Sequence, residues 1–194
     1  MLEATLTPTQ DWPAPGQWTY DDYLRLPDDG QRYEIIEGVL YVANAPSSIH
    51  QFTVGEIFAA VRDFVKKHNL GQVVVAPFEV HLSETTRPVQ PDVFFVKAER
   101  WPAGEIQFFA GPPDLIVEVL SPGSIRLDRY VKFQAYEQAG VPEYWIANPH
   151  LRVVEVYTLS GGEYALLGEF SGDEIIKSVV LEGLPIINHT LFVP

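Results

Sequence analysis

The sequence contains no cysteine, and its 194 residues include one methionine. Without a thiol there is no disulfide, no thiolate zinc site, no iron–sulfur cluster and no cysteine nucleophile. Positive charge is scarce: 13 Lys and Arg stand against 26 Asp and Glu, for a net charge of −13 at pH 7 and a pI of about 4.7. Proteins that depend on phosphate contacts usually present a basic face, so the balance counts against a strong, non-specific grip on nucleic acid. It does not exclude nucleic acid, because a carboxylate-rich site can recruit metal ions that then meet the phosphate. Long apolar runs are missing as well: stretches such as Val73-Val74-Val75-Ala76-Pro77-Phe78 fall far short of the ~20 residues a membrane span needs. Met1-Leu2-Glu3-Ala4 has no basic or apolar leader character, so no secretory signal and no membrane association are expected, and the expected location is cytoplasmic. No internal repeat or low-complexity tract occurs, and G-x-x-x-x-G-K-[ST], G-x-G-x-x-G and G-x-S-x-G are all absent.

Hydrophobic residues make up 46% and aromatics 12%, enough to bury a core in one domain of ordinary size. Residues 1–17, with Pro8, Pro13, Pro15 and Gly16, read as an irregular arm, and 18–194 as one domain. Thr19 with Asp21 and Asp22 caps a short helix ending before Pro27. Two strand-like runs between Tyr33 and Val42 flank Glu37-Gly38, a hairpin turn. Ser48 to Gln51 fits a capping box, and Val54, Ile57, Phe58, Val61, Phe64 and Val65 then recur at helical spacing until Asn69-Leu70-Gly71. Residues 72–76 read as a strand, and Phe78, Val80 and Leu82 alternate with Glu79 and His81. Val93–Val96 and Leu115–Leu120 are apolar on both faces and predict central strands. A second helix spans Leu127 to Ala139, Tyr144-Trp145-Ile146 is a strand, and Val153–Thr158 with Tyr164–Phe170 forms a late hairpin around Gly161-Gly162. This order predicts an α/β class with a mixed sheet.

Two carboxylates are out of place. Asp92 shares a strand face with Phe94 and Val96, and Glu118 shares one with Ile116 and Leu120. A carboxylate among such neighbours costs several kcal/mol unless a cation or hydrogen bonds compensate. Each taken alone is as well explained by an arginine partner or a turn cap; two on adjacent strands favour a shared cation. Lys132 lies at the edge of the apolar face of Leu127, Val131 and Ala135, from where it could polarise a phosphate or water. Taken alone, an ion pair with Asp128 at i, i+4, worth tenths of a kcal/mol, is the better account. His50 falls on the face of Val54, Ile57 and Val61, which suits a core histidine or a ligand. Glu34 and Glu37 are exposed strand charges unless the hairpin folds over a cleft. Glu56 reads as solvated, and His68, His81, His150 and His189 lack zinc-like spacing. Ser121-Pro122-Gly123-Ser124 reads as a strand-to-helix turn.

Several segments, taken in order, resemble one family. They are Tyr33-Glu34-Ile35-Ile36-Glu37-Gly38, Ser48 to Gln51, Gln90-Pro91-Asp92-Val93, Pro113 through Pro122, Asp128 through Lys132, and Tyr136 through Trp145. The chain from about Trp18 to Phe192 is similar to the Uma-two family (domain of unknown function 820), restriction endonucleases by description, of the PD-(D/E)XK nuclease superfamily. The resemblance implies a restriction-endonuclease-like core of helix, three-strand meander, helix and strand, with added terminal strands. It implies that Asp92 and Glu118 with the Val119 carbonyl hold Mg²⁺ or Mn²⁺. The superfamily lysine two residues after the glutamate is here Leu120, and its role passes to Lys132. Glu34, Glu37 and His50 also match family positions. The implied activity is a metal-dependent endonuclease, a phosphodiesterase acting on nucleic acid, DNA first of all. The alternatives are a catalytically weak or inactive binding or regulatory module on the same fold, and a hydrolase of smaller phosphoesters. Arg87, Arg126 and Arg129 are candidates to border the cleft. Trp101, Trp145, Phe108 and Phe109, the last two in a loop-like stretch, are candidates for a homodimer surface.

Overall fold

The computed structural model describes residues 11–43 and 45–192, so residues 1–10 of the expected arm lie outside the described residues. Thr19 caps α1 (Tyr20–Tyr23), its backbone N–H donating to Asp22 Oδ2 at 3.0 Å and its Oγ1 accepting from the Asp22 N–H. Strands β1 (Arg32–Ile36) and β2 (Val39–Ala43) pair antiparallel. Glu37 and Gly38 turn between them with φ of 50° and 67°, the conformation a tight hairpin requires. A Cβ on Gly38 would lie 2.6 Å from the Gly16 carbonyl oxygen, so only glycine fits.

Helix α2 (Ser48–His68) begins one residue earlier than its capping signal suggested. Ser47, not Ser48, is the N-cap: its backbone is extended and its Oγ accepts the His50 N–H at 3.3 Å. The Ser48/Gln51 box therefore does not form. Asn69, left-handed at φ 53°, closes the helix.

Six strands form the main sheet. β3 (Gly71–Val75), β5 (Val93–Lys97) and β7 (Leu115–Val119) make an antiparallel meander. A π-helical turn, Leu127–Lys132, continues into α3 (Phe133–Ala139) and returns the chain to β8 (Glu143–Asn148), parallel to β7. β9 (Val153–Ser160) and β10 (Glu163–Ser171) extend the sheet as a hairpin. The mixed α+β architecture and the helix–meander–helix–strand core are those expected.

Because β5, β7 and β8 are covered on both faces, their runs are apolar apart from the buried Glu118 and Glu143 and the strand-end Lys97 and Asn148. On one face Val54, Ile57, Val61 and Val65 of α2 pack against Val93, Phe95, Val117 and Trp145. On the other, Phe94, Ile116, Leu120 and Ile146 meet Ala135 and Tyr136 and the hairpin's Ile36. β4 (Glu79–His81) and β6 (Phe108–Ala110) form a small parallel pair, so Phe108 and Phe109 are strand residues and not loop residues as expected. Phe109 is buried against Trp101 and Phe94, and Trp145 is wholly buried. Those two aromatics belong to the core and cannot form a dimer surface; their burial satisfies the sheet faces. Among the described residues no helix is long and apolar enough to cross a membrane.

Beyond β10 the chain is fastened by one buried carboxylate. Glu143 accepts from Trp145 Nε1 at 2.7 Å, Ser178 Oγ at 2.6 Å and the backbone N–H groups of Val179 and Val180 at 2.7 and 3.1 Å. Replacing it orphans several buried donors at once, each with a desolvation penalty. Glu143→Ala is expected to lower unfolding free energy by about 3 kcal/mol, measured by urea denaturation; a loss no larger than that of an average surface substitution would contradict this account.

Candidate functional site

Asp92 precedes β5, and Glu118 lies near the end of β7; Val93 and Val117 are register partners, so the two carboxylates reach the same end of adjacent strands. The π-helical turn brings Asp128 and Lys132 inward together, with both side chains buried. Such turns widen a helix locally and occur often at functional sites. The Tyr144 hydroxyl donates to the Asp128 carbonyl at 3.0 Å within this turn. From the hairpin, β1 contributes Arg32 and Glu34 at i, i+2, on one face, and Glu34 is the register partner of Tyr41 on β2. His50 enters from the first turn of α2. Arg32, Glu34, His50, Asp92, Glu118, Asp128 and Lys132 line one cavity of about 260 Å³.

Lys132 is the hub. Its Nζ lies 2.9 Å from Glu118 Oε1, 3.1 Å from Glu34 Oε1 and 3.9 Å from Asp128 Oδ1. Glu118 Oε1 also accepts from the Tyr136 hydroxyl at 2.7 Å, and Glu34 Oε1 accepts from the Gln90 N–H at 2.6 Å. Asp92 Oδ2 accepts from the Val119 N–H at 2.9 Å and sits 3.2 Å from His50 Nε2, while Oδ1 faces Arg32 Nη1 at 3.9 Å.

The charges are unequal: Glu34, Asp92, Glu118 and Asp128 surround one ammonium, with Arg32 and His50 at the side. The ionisation follows. Burial pushes the Glu118 carboxyl well above its ordinary range, against the relief from Lys132, and the charges of Asp92, Asp128 and Glu34 add to the rise. Asp128 is raised by burial, against Lys132, to about 6. Asp92 resists the same burial because His50, Lys132 and the Val119 N–H stabilise its anion, and it stays below the usual carboxylate value. Burial alone would lower the pKa of Lys132, but the surrounding carboxylates hold it above its ordinary value, so it remains an ammonium. His50 is likewise depressed by burial and raised by Asp92, with a net rise.

The cavity thus gathers Asp92, Glu118, Val119, Lys132, Glu34 and His50 from the sequence-based candidates. Glu37 is apart: its carboxylate accepts from Thr86 Oγ1 at 2.8 Å and does not line the cavity. Arg87 pairs with Glu84 and Arg129 with Glu155, away from the cavity lining; Arg126 is exposed near its mouth. Three members escaped the sequence reading. Arg32 stands two residues before Glu34, on the same strand face. Asp128 was visible only as a partner for Lys132. Tyr136 follows Lys132 by four residues, and that polar stripe through an apolar helix face was the available signal.

Residues 20–187 match the family model Uma2, described as "Putative restriction endonuclease". The chain belongs to the Uma2 family. It is also similar to a crystal structure from Anabaena variabilis described as a putative nuclease belonging to DUF820, with a TM-score of 0.76 and 21% identity over 90% of this chain and 97% of that one. That likeness concerns the fold. No curated protein matches.

The donor set of this Uma2 chain suits a hard divalent cation: the groups are carboxylate and carbonyl oxygens, with four carboxyl groups gathered around Lys132, Arg32 and His50. Among the described residues no three His, Asp or Glu side chains are arranged to hold one ion together. Mg²⁺, which is typically held by one or two carboxylates with water and phosphate oxygens, needs no such trio. Asp92, Glu118 and the Val119 carbonyl are the residues that would hold it.

The ionisation makes a stability prediction. Asp128 titrates at 3.8 ordinarily and at about 6 in the fold, so folding takes up a proton between those values and this contribution is lost as pH rises through 6. His50, raised above its ordinary 6.5, acts in the same direction: its contribution is present below 6.5 and lost above the folded value. The metal-free protein is expected to melt at a higher temperature at pH 5.5 than at pH 8. Asp128→Asn is expected to raise Tm at pH 8 by a few degrees, on the order of 1–2 kcal/mol, and to narrow the gap; a lower Tm than wild type at pH 8 would refute the assignment.

Proposed function

We propose that this protein is a metal-dependent phosphodiesterase that hydrolyses nucleic acid, with DNA as its substrate and Mg²⁺ or Mn²⁺ as its cofactor. The observation that carries the reading is the pair of buried carboxylates, Asp92 and Glu118, side by side at one cavity end with a permanently charged lysine between them and Glu34. Family membership supports it, since restriction-endonuclease-like proteins generally use divalent metals.

Asp92 and Glu118 would bind the cation together with the Val119 carbonyl. When bound, such an ion acidifies a coordinated water and neutralises charge on the scissile phosphate. The Val119 N–H and His50 fix one oxygen of Asp92, which leaves Oδ1 directed towards Arg32. Tyr136 and Lys132 fix one oxygen of Glu118; Oε2 has no hydrogen-bond donor among the described residues. In the metal-free protein the surrounding carboxylates hold Lys132 protonated, as a hydrogen-bond donor. It supplies positive charge and a donor to the phosphate oxygens as negative charge accumulates on them.

A second reading has an observation of its own. The Lys132 ammonium already neutralises part of the cluster, and the chain carries a net charge of −13, which suits a nuclease fold retained as a binding or regulatory module. Calorimetric titration of Mn²⁺ separates the two, followed by cleavage of DNA in Mg²⁺ or Mn²⁺ with and without EDTA. Wild-type protein is expected to bind the ion and cut DNA, with cleavage abolished by EDTA. Asp92→Asn and Glu118→Gln are expected to lose binding, and Lys132→Met to keep the ion but lose cleavage by roughly 10²-fold or more. A folded wild type that neither binds Mn²⁺ nor cuts DNA would favour the module.

A further inference from the structure

Positive charge at the cavity comes from three side chains, and they are not equally committed. Lys132 is only 4% exposed and keeps its ammonium within 3.1 Å of both Glu118 and Glu34, which occupies two of its three donors. His50 is buried with Nε2 on Asp92. Arg32 differs from both. It lines the cavity, 33% of its side chain is exposed, and its guanidinium lies 3.9 Å from Asp92 Oδ1. At that distance the pair is an electrostatic contact and not a hydrogen bond. Five other arginines each bring a guanidinium nitrogen within 3.1 Å of a carboxylate oxygen, Arg100 on Asp114 and Arg129 on Glu155 among them. Arg32 alone lines the cavity with its fork of five donors held by no hydrogen bond among the described residues.

Asp92 gives this loose contact its meaning. Its Oδ2 is engaged by the Val119 N–H at 2.9 Å and by His50 at 3.2 Å, and its Oδ1 has Arg32 as neighbour. Oδ1 is therefore the Asp92 oxygen left for a cation, and Arg32 competes for it. Two cations beside one carboxylate oxygen repel each other strongly where water is largely excluded, unless an anion lies between them. A phosphodiester is such an anion. A guanidinium fork matches two phosphate oxygens at once, where an ammonium acts as a point charge. The backbone under Arg32 is well fixed, because Glu34, on the same strand face, is anchored to Lys132 and to the Gln90 N–H. The side chain is thus carried by a secured strand while no hydrogen bond restrains its charged end.

We propose that Arg32 is the phosphate-binding residue of this site, held by Asp92 in the metal-free protein and released to the phosphate of the substrate when Asp92 takes up a divalent ion. This rests on the nuclease reading above and adds a residue that binds its substrate. It also makes the ion and the phosphate cooperative: each removes the other's competitor, so each strengthens the other's binding by the same factor.

The test compares the full-length wild type with Arg32→Gln and Arg32→Lys. Mn²⁺ is titrated calorimetrically without nucleic acid, and a labelled DNA oligonucleotide is followed by fluorescence anisotropy in Ca²⁺ and in EDTA. Arg32→Gln is expected to bind Mn²⁺ about threefold more tightly than wild type, because a competing cation has gone. In Ca²⁺ it is expected to bind DNA about tenfold more weakly than wild type. In EDTA, where Asp92 holds the arginine, the two proteins are expected to agree to about twofold. Arg32→Lys keeps the charge without the fork and is expected to recover part of the DNA affinity. A long, partly exposed ion pair contributes little to folding, so Tm is expected to stay within about 2 °C of wild type. Undiminished DNA binding by Arg32→Gln in Ca²⁺ would reduce Arg32 to a counter-charge for Asp92, overturning the inference and leaving the nuclease reading intact. Loss of Mn²⁺ binding in Arg32→Gln would assign the arginine to support of the ion site and overturn it as well. A wild type that binds neither ion nor DNA would overturn both readings.

Discussion

A buried ammonium organises this molecule. Lys132 is removed from water, a transfer that is tolerable only where anions replace its hydration, and Glu34, Glu118 and Asp128 provide them. The dependence runs both ways. Without the lysine, those carboxylates would face one another and Asp92 in a medium that screens them poorly. Even with it, burial first and the neighbouring carboxylates second raise the pKa of Glu118 and Asp128. One helix, one central strand and a hairpin far apart in sequence are brought to a single point by this balance.

The scaffold around that point divides into rigid and attached parts. β5, β7 and β8 are packed on both faces and hold Asp92 and Glu118 on adjacent, register-fixed strands. The β1–β2 hairpin is not part of the six-stranded sheet. It is docked by backbone hydrogen bonds from Ile35 to Pro88 and from Gly38 to Thr85, at 2.9 and 2.8 Å, by Ile36 in the core, and by Glu34 on Lys132 and the Gln90 N–H. The β2 wall of the cavity is thus positioned in part by the same ion pair that sets the charge of the carboxylates. A site built this way couples its electrostatics to its shape.

Much of the fold was legible because local signals and tertiary packing agreed. Doubly apolar runs marked the central strands, and the stripe of Val54, Ile57, Val61 and Val65 marked the face of α2 that meets the sheet. Where they failed, the reason is specific. The Ser48–Gln51 spacing pointed to a cap one residue too late, because the Ser47 hydroxyl already accepts the His50 N–H. Phe108-Phe109 sits between turn residues but pairs with β4, a partner nearly thirty residues earlier that no local pattern announces. The π-helical turn has no periodic signature either; an ideal α-helix was the only reading available for Leu127 to Ala139.

By itself the sequence determined the anomalies: carboxylates at 92 and 118 within apolar strands, a lysine on an apolar helix edge, and no thiol or basic face to offer other chemistry. Those follow from residue type and the two-residue period of a strand, which are local properties. Only the tertiary structure decided which charges meet. It placed Glu34 on Lys132 but turned Glu37 to Thr86, since neighbours an odd number of residues apart on a strand and its turn do not share a face. It also brought in Arg32, Asp128 and Tyr136, and it set the β2 residues into the same cavity. Ion pairing and pKa depend on distance and burial through space, and neither can be read along a chain.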